Sequence, residues 1–305
     1  MSHILISGLV NIETTVPVRQ FPVNYYPIDY PFFGVHTAVS GVAYNLALAM
    51  KTLGDEVCLL SMTGSDFPAA YIRQSLLDAG ISPAGVQARL QETPGSVVLY
   101  DGAGKRQIYC DLKDIQDTAY DFPPDVLGGV DLVAACNINF SRPLLHMAKQ
   151  AGVPIATDVH VLHDPYDPFN REFMEYADIL FLSDEGIGSD YRPFLWELAR
   201  IYNPSILVLG RGSRGAAIYL KAENRICELP ARPVGPVVNT VGAGDALFSA
   251  FVHFYVRGVS PLEALERAQL FAAAKIRVSG AAAGFVGEQE IEALRGLCGV
   301  AAPQE

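Results

Sequence analysis

Asn239-Thr240-Val241-Gly242-Ala243-Gly244-Asp245 is the segment of this chain with the most chemistry in it. Its small residues run directly into Ala246-Leu247-Phe248-Ser249-Ala250-Phe251, an apolar sequence that reads as a helix. Gly242 and Gly244 let backbone N–H groups come close to an anion and take a positive φ where needed. Free amides at a helix start, with the positive end of the helix dipole behind them, make an anion site without a lysine. Asp245 then has two readings. It is a first-turn carboxylate stabilised by the dipole by ~0.3–1 kcal/mol, or it is a general base beside a phosphate cradle, the pair of parts that phosphoryl transfer to a hydroxyl needs. A second segment, Gly210-Arg211-Gly212-Ser213-Arg214-Gly215, matches GxGxxG after an apolar strand. A dinucleotide fingerprint requires a helix to begin there, but Ala216-Ala-Ile-Tyr-Leu220 reads as a strand. The segment is therefore a glycine-rich turn between strands, or a turn whose amides and arginines face a nucleotide phosphate. No GxxxxGK[ST] is present, which excludes a Walker P-loop at the level of motif.

The elements that must position these residues alternate between strand and helix. His3–Leu9 is a short apolar strand. The proline-punctuated stretch from Ile12 to Phe33 cannot be helical and suits an extended excursion with an edge strand at Thr14–Val18. Ser40 to Gly54 reads as a helix, with Ser40 able to cap its start and Gly54 its end. Glu56–Met62 is a strand and Asp66–Ala79 a helix. Ser96–Tyr100 and Lys105–Cys110, joined by Asp101-Gly-Ala-Gly, read as a β-hairpin. Paired with the excursion, that hairpin would make a small sheet over the main body. Strands at 132–135, 153–157, 179–182 and 205–209 then alternate with helices at 142–150, 169–176 and 193–202. Two antiparallel strands at 216–220 and 225–229 follow, then helices at 243–256, 261–278 and 288–297. The pattern is a mostly parallel sheet covered on both faces, in one α/β domain over 1–305 with a lid from about 12–36 and 95–111.

The chain has 305 residues, half of them hydrophobic and 18% charged, which excludes a disordered chain. Its formal charge of −11 argues against a nucleic-acid or anionic-membrane surface. Neither partner is expected, so any anionic substrate must be met by a local site. No apolar run approaches the ~20 residues of a membrane span, and the first ten residues lack the basic region of a secretory signal. Five scattered cysteines without a CxxC pair suit reduced thiols in a cytoplasmic protein, with Cys58 and Cys136 as packing residues.

Gly242-Ala243-Gly244-Asp245 in this setting resembles the C-terminal signature of the ribokinase-like, or PfkB, carbohydrate kinases. Ser40-Gly41-Val-Ala-Tyr-Asn45 resembles that family's N-terminal Gly-Gly-x-x-x-Asn signature, and Gly8-Leu-Val-Asn11-Ile-Glu13 its sugar-gripping strand end. Val208 to Gly215 resembles its nucleotide-facing turn, so the resemblance spans nearly the whole chain. It implies a ribokinase-like three-layer α/β domain with a mostly parallel central sheet and a small β-sheet lid. It also implies an ATP-dependent kinase that phosphorylates a hydroxymethyl group of a small sugar or nucleoside. Asp245 would be the base, and Gly242, Ala243 and Gly244 the anion hole. Asn11, Glu13, Gly41, Asn45 and Asn137 would bind the acceptor. Gly210, Arg211, Gly212, Ser213, Arg214 and Gly215 would line the nucleotide, and Mg²⁺ would travel with ATP.

Asn239 stands where the family commonly has an Asp that helps bind a monovalent cation. It keeps an oxygen and loses the charge, which leaves that cation open. The family's Asn-x-x-Glu motif is represented by Ser183-Asp184-Glu185-Gly186, so no metal ligand is assigned, with Asp184 or Glu185 as substitutes. Glu13 replaces the usual Asp and reaches a methylene further, and Ser40 replaces the first Gly of its pair. His36 faces the pocket or hinges the lid. Asp158 supports Mg²⁺ or caps a loop. Lys275 is solvated or approaches adenine. Tyr25, Tyr26, Tyr30, Phe32 and Phe33 stack on a nucleoside base, form the lid's apolar face, or join two lids in a homodimer. A reading from a different class is a catalytically idle sugar- or nucleotide-binding regulatory protein on the same fold.

Overall fold

The computed structural model describes residues 1–102, 105–188 and 190–298. The tip of the expected hairpin, Ala103 and Gly104, lies outside the described residues. Strand β1 (His3–Ser7) is followed by β2 (Asn11–Pro17), β3 (His36–Ser40), α1 (Val42–Thr52), β4 (Glu56–Thr63), α2 (Phe67–Asp78) and β5 (Val86–Ala88). The hairpin is β6 (Gly95–Tyr100) and β7 (Arg106–Asp111). Then come β8 (Leu132–Ala135), α3 (Arg142–Ala151), β9 (Ile155–Val161), α4 (Arg171–Tyr176), β10 (Ile179–Ser183), α5 (Arg192–Tyr202) and β11 (Ile206–Gly210). The chain continues through β12 (Ala216–Leu220), β13 (Arg225–Leu229), α6 (Ala243–Val256), α7 (Pro261–Lys275) and α8 (Glu288–Cys298).

Nine strands form one sheet in the order β13-β12-β11-β10-β9-β8-β1-β4-β5. The run from β11 to β5 is parallel throughout, and β12 and β13 are antiparallel to their neighbours. Period-two alternation sends Ile4 and Ile6 to one face and Leu5 to the other, and Ile206 and Val208 opposite Leu207 and Leu209. The first face packs on α1, α2, α6, α7 and α8, the second on α3, α4 and α5. This is the three-layer ribokinase-like architecture, with strands buried on both sides and therefore apolar along their length.

The order of the strands locates the cleft. From β1 the chain builds outward through β4 to β5, then crosses to β8 on the other side of β1. Ligands of such sheets bind beyond the carboxyl ends of the strands, where the winding reverses.

The second sheet has the order β3-β2-β6-β7, with β2 parallel to β6. The excursion therefore contributes β2 as an interior strand, not an edge strand, and β3 follows it as the edge. β3 escaped the sequence reading because His36-Thr-Ala-Val-Ser40 directly precedes a helix and looks like its lead-in. Ser40 does not cap that helix either. It ends β3, and Gly41 stands at the cap position with φ of 102°. A Cβ on Gly41 would lie 2.5 Å from the Leu9 carbonyl oxygen, so only glycine lets the chain turn there. Cys136 is buried, as a packing residue would be, but Cys58 lies on an exposed part of β4.

Candidate active site

Two helices meet at the centre of the cleft. Asn45 lies one turn into α1, and its amide nitrogen donates to Asp245 Oδ2 in the first turn of α6 at 2.7 Å. Asp245 is half-buried, and burial raises its pKa above the usual carboxylate range. His160, the bond from Asn45 and Lys275 pull it back down, while Asp158 pushes it up. Asp158 and Asp245 line one small cavity with Val42, Leu46, Ala135, Cys136 and Phe248. Asp158 Oδ1 accepts from the His160 amide at 2.7 Å, and His160 is held at φ of 58°, an uncommon conformation for a non-glycine residue.

The loop before α6 is built from backbone bonds. Gly242 caps the helix with φ of 76°, and a Cβ there would meet the Ala281 carbonyl oxygen at 2.5 Å. The space beside Gly244 is open. Ala243 departs from the expected anion hole: its amide donates to the Thr240 carbonyl at 3.1 Å and closes a turn. The amides of Gly242 and Gly244 have no such backbone partner among the described residues. Asn239 Oδ1 accepts from the Val241 amide at 2.8 Å.

The residues expected to bind an acceptor lie mostly where the two sheets join. Asn11 opens β2, is buried, and donates to Ser96 Oγ at 3.2 Å. Ser40 Oγ donates to Glu13 Oε2 at 3.4 Å. Burial raises the Glu13 pKa. Ser40, Lys275 and Arg106 oppose that shift, and Asp245 adds to it. Asn11 Oδ1 and Asn45 Oδ1 are buried with no hydrogen-bond partner, an uncommon state for buried polar atoms. Asn137 lies just past β8, but its amide nitrogen is engaged by Asn170 Oδ1 at 2.9 Å. His36 is exposed at the start of β3.

The turn from Gly210 to Gly215 joins β11 to the antiparallel β12, so no helix begins there. Its two arginines are paired within the protein. Arg211 Nη1 bonds Glu228 Oε2 at 2.6 Å, and its guanidinium lies 4.4 Å from the Tyr191 ring centroid. Arg214 pairs with Asp184. In both pairs folding brings together residues apart in sequence: Glu228 lies on β13, and Asp184 directly follows β10. The Arg214 pair also occupies one of the two carboxylates considered for metal binding, and the other, Glu185, is exposed. Among the described residues no three His, Cys, Asp or Glu side chains gather as a metal site.

Lys275 is the residue the sequence misplaced most. It is completely buried at the end of α7, with its ammonium donating to the Val241 carbonyl. Burial brings its pKa down to about 8, against the upward pull of Asp245 and Glu13. The available signal was its company: Phe271-Ala-Ala-Ala-Lys275-Ile276 offers no other polar side chain.

Comparison with known proteins gives a consistent picture. The family model described as pfkB family carbohydrate kinase matches residues 1–286. The acarbose 7(IV)-phosphotransferase of Actinoplanes sp. is 23% identical over 269 residues, covering 86% of this chain and 87% of that protein. The nucleoside kinase of Methanocaldococcus jannaschii is 25% identical, covering 90% and 89%. The solved structure of Arabidopsis thaliana ribokinase complexed with ribose and ATP superposes with a TM-score of 0.82 at 20% identity, covering 96% of this chain and 99% of that one.

Proposed function

The chain belongs to the pfkB family of carbohydrate kinases and is an ATP-dependent phosphotransferase, and from this premise we propose that it transfers the γ-phosphoryl group of ATP to a hydroxymethyl group of a small sugar or nucleoside. The observation that carries the acceptor assignment is the pair of buried, unpartnered oxygens, Asn11 Oδ1 and Asn45 Oδ1, the second on the residue that bonds Asp245. Each lacks a donor, and a polyol supplies donors; filling an orphaned buried acceptor recovers about 1–3 kcal/mol of desolvation.

Asp245 takes the proton from the attacking hydroxyl as its oxygen bonds to the γ-phosphorus and the bond to the β,γ-bridging oxygen breaks, releasing ADP. The bond from Asn45 fixes the carboxylate, and its second oxygen is left to meet the acceptor. The amides of Gly242 and Gly244, at the positive end of α6, receive the negative charge as it shifts. With Arg211 and Arg214 paired internally, the 210–215 turn meets the nucleotide through its backbone. Mg²⁺, which binds phosphate oxygens and water more than protein, would supply charge neutralisation on the phosphates. Asp158, which lines the same cavity as Asp245, would be the protein residue to help hold the Mg²⁺.

The β3-β2-β6-β7 sheet joins the body at Asn11 and Gly41, two of the expected acceptor residues, and this supports its reading as a lid that excludes water. Tyr25 is 87% and Phe33 97% exposed, and Ile108 and Tyr109, on opposite faces of β7, are exposed as well. This apolar surface supports a homodimer joined through the lids, which light scattering on the full chain tests.

A panel of sugars and nucleosides assayed for ADP release decides the central reading. Acceptor-dependent turnover for a compound with a free hydroxymethyl group is expected. Tight nucleotide binding without turnover for any member of the panel would favour an idle binding protein.

A further inference from the structure

A fully buried lysine costs several kcal/mol unless its charge is met, yet Lys275 sits without exposure under the loop that cradles phosphate. Its position at the C-terminus of α7 is favourable for a cation. Its ammonium holds the Val241 carbonyl, one residue before Gly242. The charged groups that face it are Asp245 on α6 and Glu13 on β2, both attractive, and Arg106 on β7, repulsive.

A monovalent cation bound to the same loop, which the family resemblance implies, does not fit these residues. Asn239 brings no charge, and its Oδ1 is spent on the Val241 amide. The Val241 carbonyl is spent on Lys275. A second positive charge placed among these atoms would also be repelled by the ammonium already there.

We propose that the Lys275 ammonium is the resident cation of the phosphate-binding loop and that this enzyme works without an added monovalent cation. Lys275 acts as a positioning residue. By fixing the Val241 carbonyl it sets the direction of the Gly242 and Gly244 amides, and it places positive charge near Asp245 and the transferring phosphoryl group. The inference rests on the kinase reading above, and the test separates the two.

Binding of a non-hydrolysable ATP analogue is measured by calorimetry in potassium chloride and in tetramethylammonium chloride at equal ionic strength, and turnover is followed in the same salts. Wild type should give the same Kd and kcat in both. A potassium advantage of about five-fold or more in either quantity, the size of an ordinary coupling between sites, overturns the proposal and leaves the kinase reading intact. No analogue binding in any salt removes both. Lys275→Met should lose kcat by about 10²-fold, as expected for a misaligned transfer site, with acceptor KM little changed. Lys275→Ala should recover part of that loss with added ethylammonium or potassium. Wild-type kcat and Kd in Lys275→Met would overturn the proposal. If both variants fail to fold, the wild-type salt comparison decides alone.

Discussion

The two sides of the cleft hold their polar groups in opposite states. On the proposed acceptor side, Asn11 and Asn45 each use one end of the amide inside the protein and leave the other end buried and unpaired. On the proposed nucleotide side, Arg211 and Arg214 are both paired with internal carboxylates. In the function proposed above, the acceptor side would read hydroxyl groups with side chains, and the nucleotide side would hold phosphate with backbone amides. The difference follows from what each must recognise. Phosphate is a large diffuse anion that amides at a helix start satisfy without side-chain specificity. A sugar is distinguished by hydroxyl positions, and discrimination grows when a missing hydroxyl leaves a buried group unpaired.

Asp245 lies between the two sides, and removing its carboxylate tests both most severely. Asp245→Asn should lower kcat by about 10²–10⁴-fold, the usual contribution of a positioned base, while a non-hydrolysable ATP analogue still binds. Near-wild-type turnover would eliminate this mechanism. The pH profile sharpens the same point. Burial raises the carboxyl pKa, so activity should fall on acidification at a pH above that of an ordinary Asp side chain, ~3.9. The sign for folding is opposite: a raised acid pKa contributes stability at low pH that is lost as pH rises through the folded value.

The next effect belongs to the acceptor side alone. Asn11→Ala removes an orphaned oxygen without touching Asp245 or the 239–245 loop. The KM of the accepted substrate should rise roughly ten-fold, equivalent to about one hydrogen bond, with the KM for ATP unchanged. An equal rise in both values would mean that Asn11 supports the cleft as a whole and does not read the acceptor.

The contrast between the two sides could not have been read from the chain alone. The glycine loop, the helix after it and the strand alternation were legible because each depends on neighbouring residues. α6 spans 243–256 and β12 and β13 span 216–220 and 225–229, as their sequences suggest. What escaped depends on residues that meet only after folding. Glu228 lies 17 residues past Arg211, and Asp184 lies 30 before Arg214. Nothing local announces either pair, so the arginines of a glycine turn read from sequence as free to face a phosphate. Lys275 was misread for a related reason: helix propensity is indifferent to which face of α7 is buried. Gly41 was hidden by Ser40, whose hydroxyl is the better cap in isolation but is directed to Glu13 across the sheet.

The smallest effects are expected from the two arginines, and they decide whether the nucleotide side is as self-contained as the contrast implies. Arg211 is mostly buried, stacked on Tyr191 and bonded to Glu228. Arg211→Ala should cost about 1–2 kcal/mol of stability, from the lost cation–π contact and ion pair, with nucleotide affinity nearly unchanged. Glu228 keeps Arg192 as a second partner, which limits the loss. The Arg214 side chain is 58% exposed, so its pair with Asp184 is screened. Arg214→Ala should stay within about 0.5 kcal/mol of wild type. Thermal unfolding and analogue titration on the two variants separate the roles. A loss of nucleotide affinity that exceeds the loss of stability would show that these side chains leave their carboxylates and turn to the phosphates when ATP arrives. The two sides of the cleft would then differ only until the nucleotide is bound.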